Sequence, residues 1–182
     1  MKRIILRPVL EKDIQFLYEQ NTQCGMGDWQ GFKFEPFEKY RQQYKLDGFC
    51  SSQFQIFIFE SKGTPCGFAT VRFHSIEVVE IGISMQLDFR GKGLCYVALL
   101  ILLGYLFDNF QVERVEANTD AENIAAKRVL EQSSFFKEGV LRHRRFHHGK
   151  YHDSVIYSLL RHEWQSLRSQ LISFINTEED ES

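Results

Sequence analysis

The chain has 182 residues, 43% of them hydrophobic and 17 of them phenylalanine, which is enough to form one domain with a well-filled core. Its net charge of −2 gives no bulk electrostatic reason to expect nucleic acid or an anionic membrane as a partner. The four cysteines lack C-x-x-C spacing, so they indicate neither a zinc site nor a disulfide framework, and free thiols suit a reducing cytoplasm.

The first part of the chain alternates between helical and extended patterns. Apolar residues at helical spacing predict two helices, and period-2 alternation bounded by turn residues predicts strands. In chain order the predicted elements are a strand at Ile4–Leu6, a helix from about Leu10 to Tyr18, a helix opened by Pro36, and a hairpin of strands Phe54–Phe59 and Phe68–Phe73. The segment between the two helices, Asn21–Phe34, is the least regular in the chain.

The middle of the chain has the most informative pattern. An alternating segment predicts a strand at Val79–Met85, a glycine turn follows at Asp88–Gly93, and the apolar run Leu94–Phe107 predicts a helix. The run has fewer than the about 20 residues that a membrane span needs, so we interpret it as a buried helix. A helix that starts at a sheet edge offers free N–H groups and a positive dipole end to a phosphate, and Arg90 and Lys92 add positive charge. This stretch therefore predicts a diphosphate site.

The remaining pattern completes a mixed α/β domain with a mostly antiparallel sheet, predicted over residues 1–176 with an acidic tail at 177–182. Thr119 to Glu122 has the form of a capping box and predicts the start of a helix that runs to about Gln132. The other predicted elements are a strand at Val112–Asn118, a pair of strands at Phe135–Arg144 and Lys150–Leu160, and helical structure from Trp164.

Four segments, in order, resemble a known family. The loop R-x-x-G-x-C, Arg90–Cys95, resembles the acetyl-coenzyme A loop of the GNAT superfamily of N-acetyltransferases, [Q/R]-x-x-G-x-[G/A], with Cys95 where the family has Gly or Ala. Segments Val79–Gly82, Arg114–Asn123 and Lys150–Leu160 resemble the Rim-type branch, the ribosomal-protein N-terminal acetyltransferases. The resemblance implies the GNAT fold, in which two parallel strands, here Val79–Met85 and Val112–Asn118, splay apart and hold the cofactor.

The resemblance also implies acetyl-CoA as cosubstrate, with no metal. The cofactor-binding residues that it implies are Met85, Gln86, Leu87, Arg90, Gly91, Lys92, Gly93, Leu94, Cys95, Asn118 and Asn123. The chain departs from the family at the usual proton donors, since the tyrosine position is Leu130 and the serine position is Ala126. A frequent glycine before Phe135 is Ser134. Cys95 is expected to be a small packed residue, with a nucleophilic role at the helix start as the alternative.

Acetyl transfer to an amine needs a base, because an alkylammonium with a pKa of about 10 must first lose a proton. Glu80 is the candidate for this base. It shares a strand face with Gly82 and Ser84, two small residues that leave room for a substrate, and its carboxylate is expected to be partly desolvated. The alternative is a purely structural carboxylate, and Glu116 on the neighbouring strand is the second candidate. A strand bulge in Val79–Met85 is expected to supply an N–H for the oxyanion.

The acceptor pocket is predicted in the irregular segment, where glycines allow mobility. Met26, Trp29 and Phe32 offer apolar walls and Asp28 a possible ammonium anchor; a hydrophobic flap packed on the sheet is the alternative. Four histidines, His143, His147, His148 and His152, lie among basic residues of the last strand pair. No Cys or carboxylate lies at a spacing that would complete a metal site with these histidines. We therefore interpret them as part of a solvated basic ribbon.

The sequence thus predicts a cytoplasmic, acetyl-CoA-dependent N-acetyltransferase acting by direct transfer on a primary amine. A protein N-terminus, an amino sugar or aminoglycoside, and a polyamine or other small amine all remain open as acceptors. The alternative is a catalytically weak acyl-CoA-binding module that recognises a protein or RNA through its basic hairpin. No nucleic-acid or membrane partner is otherwise expected, and the chain is predicted to be a monomer or a homodimer.

Overall fold

One seven-stranded sheet organises the protein, for which a computed structural model describes residues 4–22, 29 and 35–168. The strands are β1 (Ile4–Pro8), β2 (Phe54–Ser61), β3 (Thr64–Phe73), β4 (Val78–Met85), β5 (Arg114–Asp120), β6 (Phe136–His147) and β7 (Lys150–Leu160). The helices are α1 (Ile14–Thr22), α2 (Phe37–Asp47), α3 (Leu94–Asn109) and α4 (Ile124–Gln132), and residues 161–168 are also helical. This architecture confirms the predicted mixed α/β class, while the predicted tail at 177–182 lies outside the described residues.

The sheet order is β1-β2-β3-β4-β5-β7-β6, and only the β4–β5 pair of this sheet is parallel. Its register runs from Val78↔Arg114 to Ile81↔Ala117 and ends there. Both strands continue beyond that point, β4 for four residues and β5 for three, paired only with their outer neighbours. The parallel pair therefore splays open towards its carboxyl end, as the family resemblance implied.

The two faces of the sheet have separate hydrophobic cores. On one face α3 packs against the odd-numbered residues of β4 and β5, and it is apolar on nearly all sides because it is buried. On the other face α1 and α2 cover a smaller cluster that includes Phe49, Ile58 and Phe68. Among the helices of the described ranges, none has the length and apolar character that crossing a membrane requires.

The connection from β5 to α4 differs from the prediction. Thr119 and Asp120 belong to β5, because the ladder with β7 continues to Asp120↔Ser154, and these backbone pairs prevent a helix start. Asn123 is the N-cap instead, and its Oδ1 accepts a hydrogen bond from the Ala126 N–H at 3.0 Å. The capping-box prediction is therefore wrong by three to four residues.

A buried ion-pair network fixes the N-terminal strand. Arg7 donates to the Asp13 carboxylate at 2.5 Å and to Glu60 Oε2 at 2.6 Å, and the Leu10 N–H donates to Asp13 Oδ2 at 2.8 Å. Asp13 is 1% exposed. Burial alone would raise the pKa of Asp13, but the hydrogen bonds from Arg7 and Leu10 outweigh it and hold the pKa below its ordinary value.

Replacing Asp13 by Asn is expected to destabilise the fold by about 3 kcal/mol, because it leaves the half-buried Arg7 guanidinium without its main partner. The carboxylate stabilises the fold fully above its unfolded pKa of about 3.9, and this contribution is lost as the pH falls through the lower folded pKa. The difference between wild type and Asp13→Asn in urea unfolding should therefore be constant near neutrality and shrink below about pH 4.

The control is Asp108→Asn, which breaks an exposed ion pair with Arg168 of similar length, 2.9 Å. It should change the unfolding free energy by less than about 0.5 kcal/mol. Equal effects of the two substitutions would contradict the assignment of Asp13 as a buried anchor.

Candidate functional site

The splay between β4 and β5 opens a cleft of about 150 Å³. Its walls come from both strands, from the starts of α3 and α4, and from two more distant side chains. They are Trp29, Ile81, Gly82, Ile83, Cys95, Leu99, Ala117, Asn118, Thr119, Asp120, Asn123, Ala126, Val129, Leu130 and Arg145. The α3 and α4 sides are largely apolar, whereas β5 contributes amide, hydroxyl and carboxylate groups, so the cleft suits a long ligand with few polar groups.

The glycine turn lies where β4 leads into α3. One 3-10 turn, Leu87–Phe89, precedes Gly91 and Gly93, which both have φ of +71°. Gly93 is the N-cap of α3, and a Cβ atom there would meet no atom within 4 Å, so the space in front of the helix start is open. The first hydrogen bond of α3 runs from the Tyr96 N–H to the Gly93 carbonyl at 3.1 Å. The N–H groups ahead of that bond have no acceptor inside the helix, and such groups can bind an anion.

The basic side chains of the turn brace the loop itself. Arg90 Nε donates to the Met85 carbonyl at 2.8 Å, and Lys92 Nζ donates to the Asp88 carbonyl at 2.5 Å. Among the other residues implied as cofactor contacts, Met85 is buried in the core, whereas Leu87 is exposed at the turn. The backbone, held by these two cations, is therefore the main polar surface of the turn.

Glu80 lies on the opposite face of the sheet from α3. Its Oε1 accepts a hydrogen bond from Asn118 Nδ2 at 2.8 Å, and its Oε2 lies 3.3 Å from His74 Nε2. The Glu80 side chain is 36% exposed, which is more than the partly desolvated position expected from the sequence. The carboxylate is thus fixed in direction by an amide while it stays open to solvent.

Glu116, the second candidate, is directly opposite Glu80 in the parallel register. It is bound to Arg114, whose Nε lies 2.7 Å from Glu116 Oε1 and whose other nitrogen contacts Glu138 at 2.9 Å. Glu116 Oε1 is therefore already engaged in an ion pair with Arg114, whereas Glu80 Oε1 accepts from a neutral amide.

The two carboxylates line a second hollow of about 90 Å³, which shares Ala117 and Asn118 with the cleft. The remaining lining comes from β4, β5, β6 and β7, namely Glu80, Glu116, Leu141, Arg144, Ser154 and Ile156. Ala117 and Asn118 therefore form part of the wall of both the cleft on the α3 side and the hollow on the polar side.

Arg145 is a functional-site residue that the sequence analysis did not identify. Its Nε donates to Ser154 Oγ at 2.8 Å, and one terminal nitrogen donates both to the Asn118 carbonyl at 3.0 Å and to Asn118 Oδ1. It lines the cleft. Because it reaches Asn118 from another strand, 27 residues away in the chain, no local pattern predicts the contact.

The prediction that the four histidines form a solvated basic ribbon is correct for only two of them. His143 and His148 are exposed, but His147 and His152 are 4% and 8% exposed and flank the buried Asp120. His147 Nε2 lies 2.8 Å and His152 Nδ1 3.6 Å from Asp120 Oδ2. Burial alone would raise the pKa of Asp120, but the hydrogen bonds from His147 and the Glu122 N–H outweigh it and lower the pKa.

These three side chains place ligand atoms within 4.8 Å of one another, a spacing that a metal site also has. The imidazole rings, however, are stacked with centroids 3.7 Å apart and planes 12° from parallel. A metal lies in the plane of each imidazole that binds it, and two nearly parallel planes share no such point nearby. The arrangement therefore fits a hydrogen-bonded Asp–His pair with a stacked neighbour.

The departures from the family pattern lie on the cleft wall. Leu130 and Ala126 both line the cleft, so neither position offers a hydroxyl group to a departing thiolate. Ser134 has φ of +59°, a left-handed conformation that glycine adopts without strain, which accounts for the glycine that the family often has there.

The predicted oxyanion bulge in β4 is absent, since the β3–β4 register runs without interruption from Gly67↔Met85 to Phe73↔Val79. The splay instead leaves part of the β4 backbone without a strand partner on the β5 side. Past Ile81 the β5-facing edge of β4 has left its partner strand, and its backbone groups face the cleft. Of the predicted acceptor residues, Trp29 lines the cleft, whereas Met26, Asp28 and Phe32 lie outside the described residues.

The splayed parallel pair, the glycine turn and the cleft between them define an acyl-CoA N-acyltransferase class of fold. Residues 3–135 match the family described as "Acetyltransferase (GNAT) domain", and the chain belongs to this family. The family assignment made from the sequence is thereby confirmed.

Among curated proteins, the chain is 33% identical to "Putative ribosomal N-acetyltransferase YdaF" of Bacillus subtilis (strain 168), over 57% of each chain. It is 32% identical to "Uncharacterized N-acetyltransferase p20" of Bacillus licheniformis, over 54% of this chain and 55% of that protein. In these matches the chain spans about half the length of the curated relatives. The first name agrees with the Rim-type branch that the sequence indicated.

Among solved structures, one described as a "Probable acetyltransferase" has a TM-score of 0.74 and 28% identity, covering 90% of this chain and 96% of its own. A spermidine N-acetyltransferase from Vibrio cholerae, in complex with CoA and spermine, has a TM-score of 0.82. Its identity is 19% over 89% of this chain and 98% of its own, so it supports the fold alone.

Cys95 is predicted to be chemically unreactive in the folded protein. Burial raises the pKa of its thiol to about 11, although the charge of Arg90 opposes the rise. At pH 8 only about one thiol in a thousand is then ionised, and alkylation by iodoacetamide should be about a hundred-fold slower than at an ordinary exposed thiol. Mass spectrometry of timed samples measures this against the exposed Cys50 in the same molecules. Similar rates at both residues would restore the nucleophile alternative.

Proposed function

We propose that this protein transfers an acetyl group from acetyl-CoA directly to a primary amine. One observation carries the proposal: the cleft beside the start of α3 and the hollow that holds the Glu80 carboxylate share Asn118 in their walls. A thioester entering along the cleft and an amine entering through the hollow would meet at this point. The names of the curated relatives support the same activity.

The glycine turn is proposed to bind the coenzyme diphosphate through backbone N–H groups at the start of α3. Gly93 leaves the helix start open, and Arg90 and Lys92 keep the turn in shape while adding positive charge. The pantetheine arm would follow the apolar wall of the cleft towards Asn118. Asn123 is committed to capping α4, so its contribution to binding is to fix the cleft wall.

In the proposed reaction Glu80 takes a proton from the ammonium group, and the free amine attacks the thioester carbon. A C–N bond forms while the backbone at the splayed edge of β4 stabilises the oxyanion. When the C–S bond breaks, the second proton of the amine nitrogen ends on the departing thiolate. A thiol has an ordinary pKa of about 8.5, so solvent can carry this proton without a side-chain acid at Leu130 or Ala126.

The acceptor class is proposed from the lining of the hollow. Two carboxylates, Glu80 and Glu116, and one guanidinium, Arg144, line it, and this excess of negative charge suits a positively charged amine rather than an anionic one. Trp29 at the cleft offers an apolar wall beside the entry. A protein N-terminus, an amino sugar and a polyamine share this chemistry, and a screen of such amines that follows thiol release from acetyl-CoA tests the proposal. Binding of coenzyme A without turnover on any of them would favour the acyl-CoA-binding module instead.

Replacing Gly93 by Val is expected to weaken coenzyme A binding by at least about thirty-fold, because the side chain fills the open space before the helix and strains a residue with φ of +71°. The control is Gly63→Val in the β2–β3 turn, which has φ of +77° and equally open surroundings. It carries the same kind of strain far from the cleft and should leave affinity unchanged. Arg90→Ala should cost only about 1–2 kcal/mol.

Isothermal titration calorimetry of the three variants measures these differences. Coenzyme A binding that is equal in Gly93→Val and Gly63→Val would overturn the assignment of the turn as the diphosphate site.

Replacing Glu80 by Gln is expected to lower turnover about a hundred-fold at pH 7, because the shape is kept and the base is removed. Partial recovery is expected at high pH, where the free amine becomes abundant and needs no base. Coenzyme affinity should stay the same, since the turn lies at the other end of the cleft. Glu116→Gln is the matched control, and an effect as large as that of Glu80→Gln would assign the base to Glu116.

A further inference from the structure

We infer that Arg145 is a positioning residue for this reaction: it orients the Asn118 amide, and the amide in turn orients the Glu80 carboxylate. The inference rests on the proposed function, because it gives Arg145 a part in proton removal by Glu80. Arg145 itself reaches neither Glu80 nor the position proposed for the thioester through any hydrogen bond described above, so it acts through Asn118.

An irregularity in the last hairpin brings Arg145 to the site. Leu141 pairs with Ser154 and Arg145 pairs with His152, so four steps along β6 match two along β7. The extra residues form a bulge, which bends the strand and redirects its side chains. His143 in the bulge has φ of +53°, and its N–H donates to Asp153 Oδ1 at 2.9 Å. The hairpin therefore carries Arg145 in one fixed conformation.

The Arg145 guanidinium donates hydrogen bonds to two acceptor atoms of Asn118. One nitrogen donates to the backbone carbonyl and to the side-chain Oδ1, while Nε is anchored on Ser154. With Oδ1 occupied by a cation, the Asn118 amide can only present its Nδ2 to Glu80, which it does at 2.8 Å. If the amide turned over, Oδ1 would face the carboxylate and repel it.

The charge of Arg145 is itself balanced inside the network. Burial lowers the pKa of the guanidinium, and the negative charges of Asp120 and Glu80 oppose this. Asp120 is held in place by His147 at 2.8 Å. The guanidinium thus interacts with the charges of two anions, Asp120 at the end of β5 and Glu80 at the proposed reaction point. A lysine would keep the charge but could not make the forked contacts to Ser154 and Asn118 together.

A double-mutant cycle tests the inference. Arg145→Lys and Asn118→Ala should each lower kcat about thirty-fold, because a misdirected base loses its alignment with the amine. In the Asn118→Ala background, Arg145→Lys should lower kcat by no more than about two-fold further, since the residue through which it acts is gone. KM for acetyl-CoA should change less than about three-fold on Arg145→Lys. A second cycle, which pairs Arg145→Lys with Glu80→Gln, should show the same non-additivity in kcat.

Arg142→Lys is the matched control, since it changes an exposed arginine of the same strand and should leave all parameters as in wild type. For Arg145→Ala, added guanidinium should restore part of the lost kcat, whereas it should not act on Asn118→Ala. Circular dichroism melting of every variant separates loss of positioning from loss of fold.

Independent effects of Arg145→Lys and Asn118→Ala that multiply in the double variant would overturn the inference, as would an unchanged kcat in Arg145→Lys. Failure of the proposed function gives a different result. A wild-type protein that acetylates no amine, or a Glu80→Gln variant with normal turnover, would remove the reaction or its base and leave the cycle with nothing to measure. If Glu80→Gln is impaired and the cycle is additive, the function stands and Arg145 is only structural.

Discussion

The end of the β4–β5 ladder at Ile81↔Ala117 is the constraint on which the rest of the site depends. Before that pair the two strands share hydrogen bonds and exclude any ligand. Beyond it each strand remains paired on its outer side, to β3 or β7, so the gap stays open although no partner fills its inner edge. A sheet edge of this kind would be an aggregation risk on the surface, and here α3 and α4 cover it on one face.

Small residues keep the open end of the ladder close to its outer neighbour. A Cβ atom on Gly67 of β3 would lie 2.5 Å from the Ser84 carbonyl, and one on Gly82 of β4 would lie 2.8 Å from Thr70 Oγ1. The Gly67 contact is with backbone, so glycine is required there for β3 and β4 to stay in register, whereas the Thr70 hydroxyl belongs to a side chain that can rotate away from Gly82.

Local sequence patterns predicted correctly those elements whose conformation depends mainly on neighbouring residues. The β4 strand, the glycine turn and α3 follow from period and turn chemistry, and the family resemblance supplied the splay. Contacts between distant parts of the chain decided the rest. The ladder to β7 drew Thr119 and Asp120 into β5 against their capping pattern. The β6–β7 hairpin brought His147 and His152 to Asp120, where both are buried. The sequence analysis could not identify Arg145, because its contact with Asn118 forms only when the bulge in β6 brings the two residues together across β7.

This division has a physical consequence for how the site is built. The turn at the start of α3 depends on backbone geometry within six residues, so the proposed coenzyme contacts tolerate change elsewhere in the chain. The orientation of Glu80 depends on a path of neighbouring side chains, Asp120, Arg145 and Asn118, that ends in a hairpin more than 60 residues away. We therefore expect substitutions in β6 and β7 to alter the proposed base and the acceptor hollow while the proposed coenzyme contacts stay the same. The two halves of the reaction are thus held by separate parts of the fold, and Asn118 is the residue at which they join.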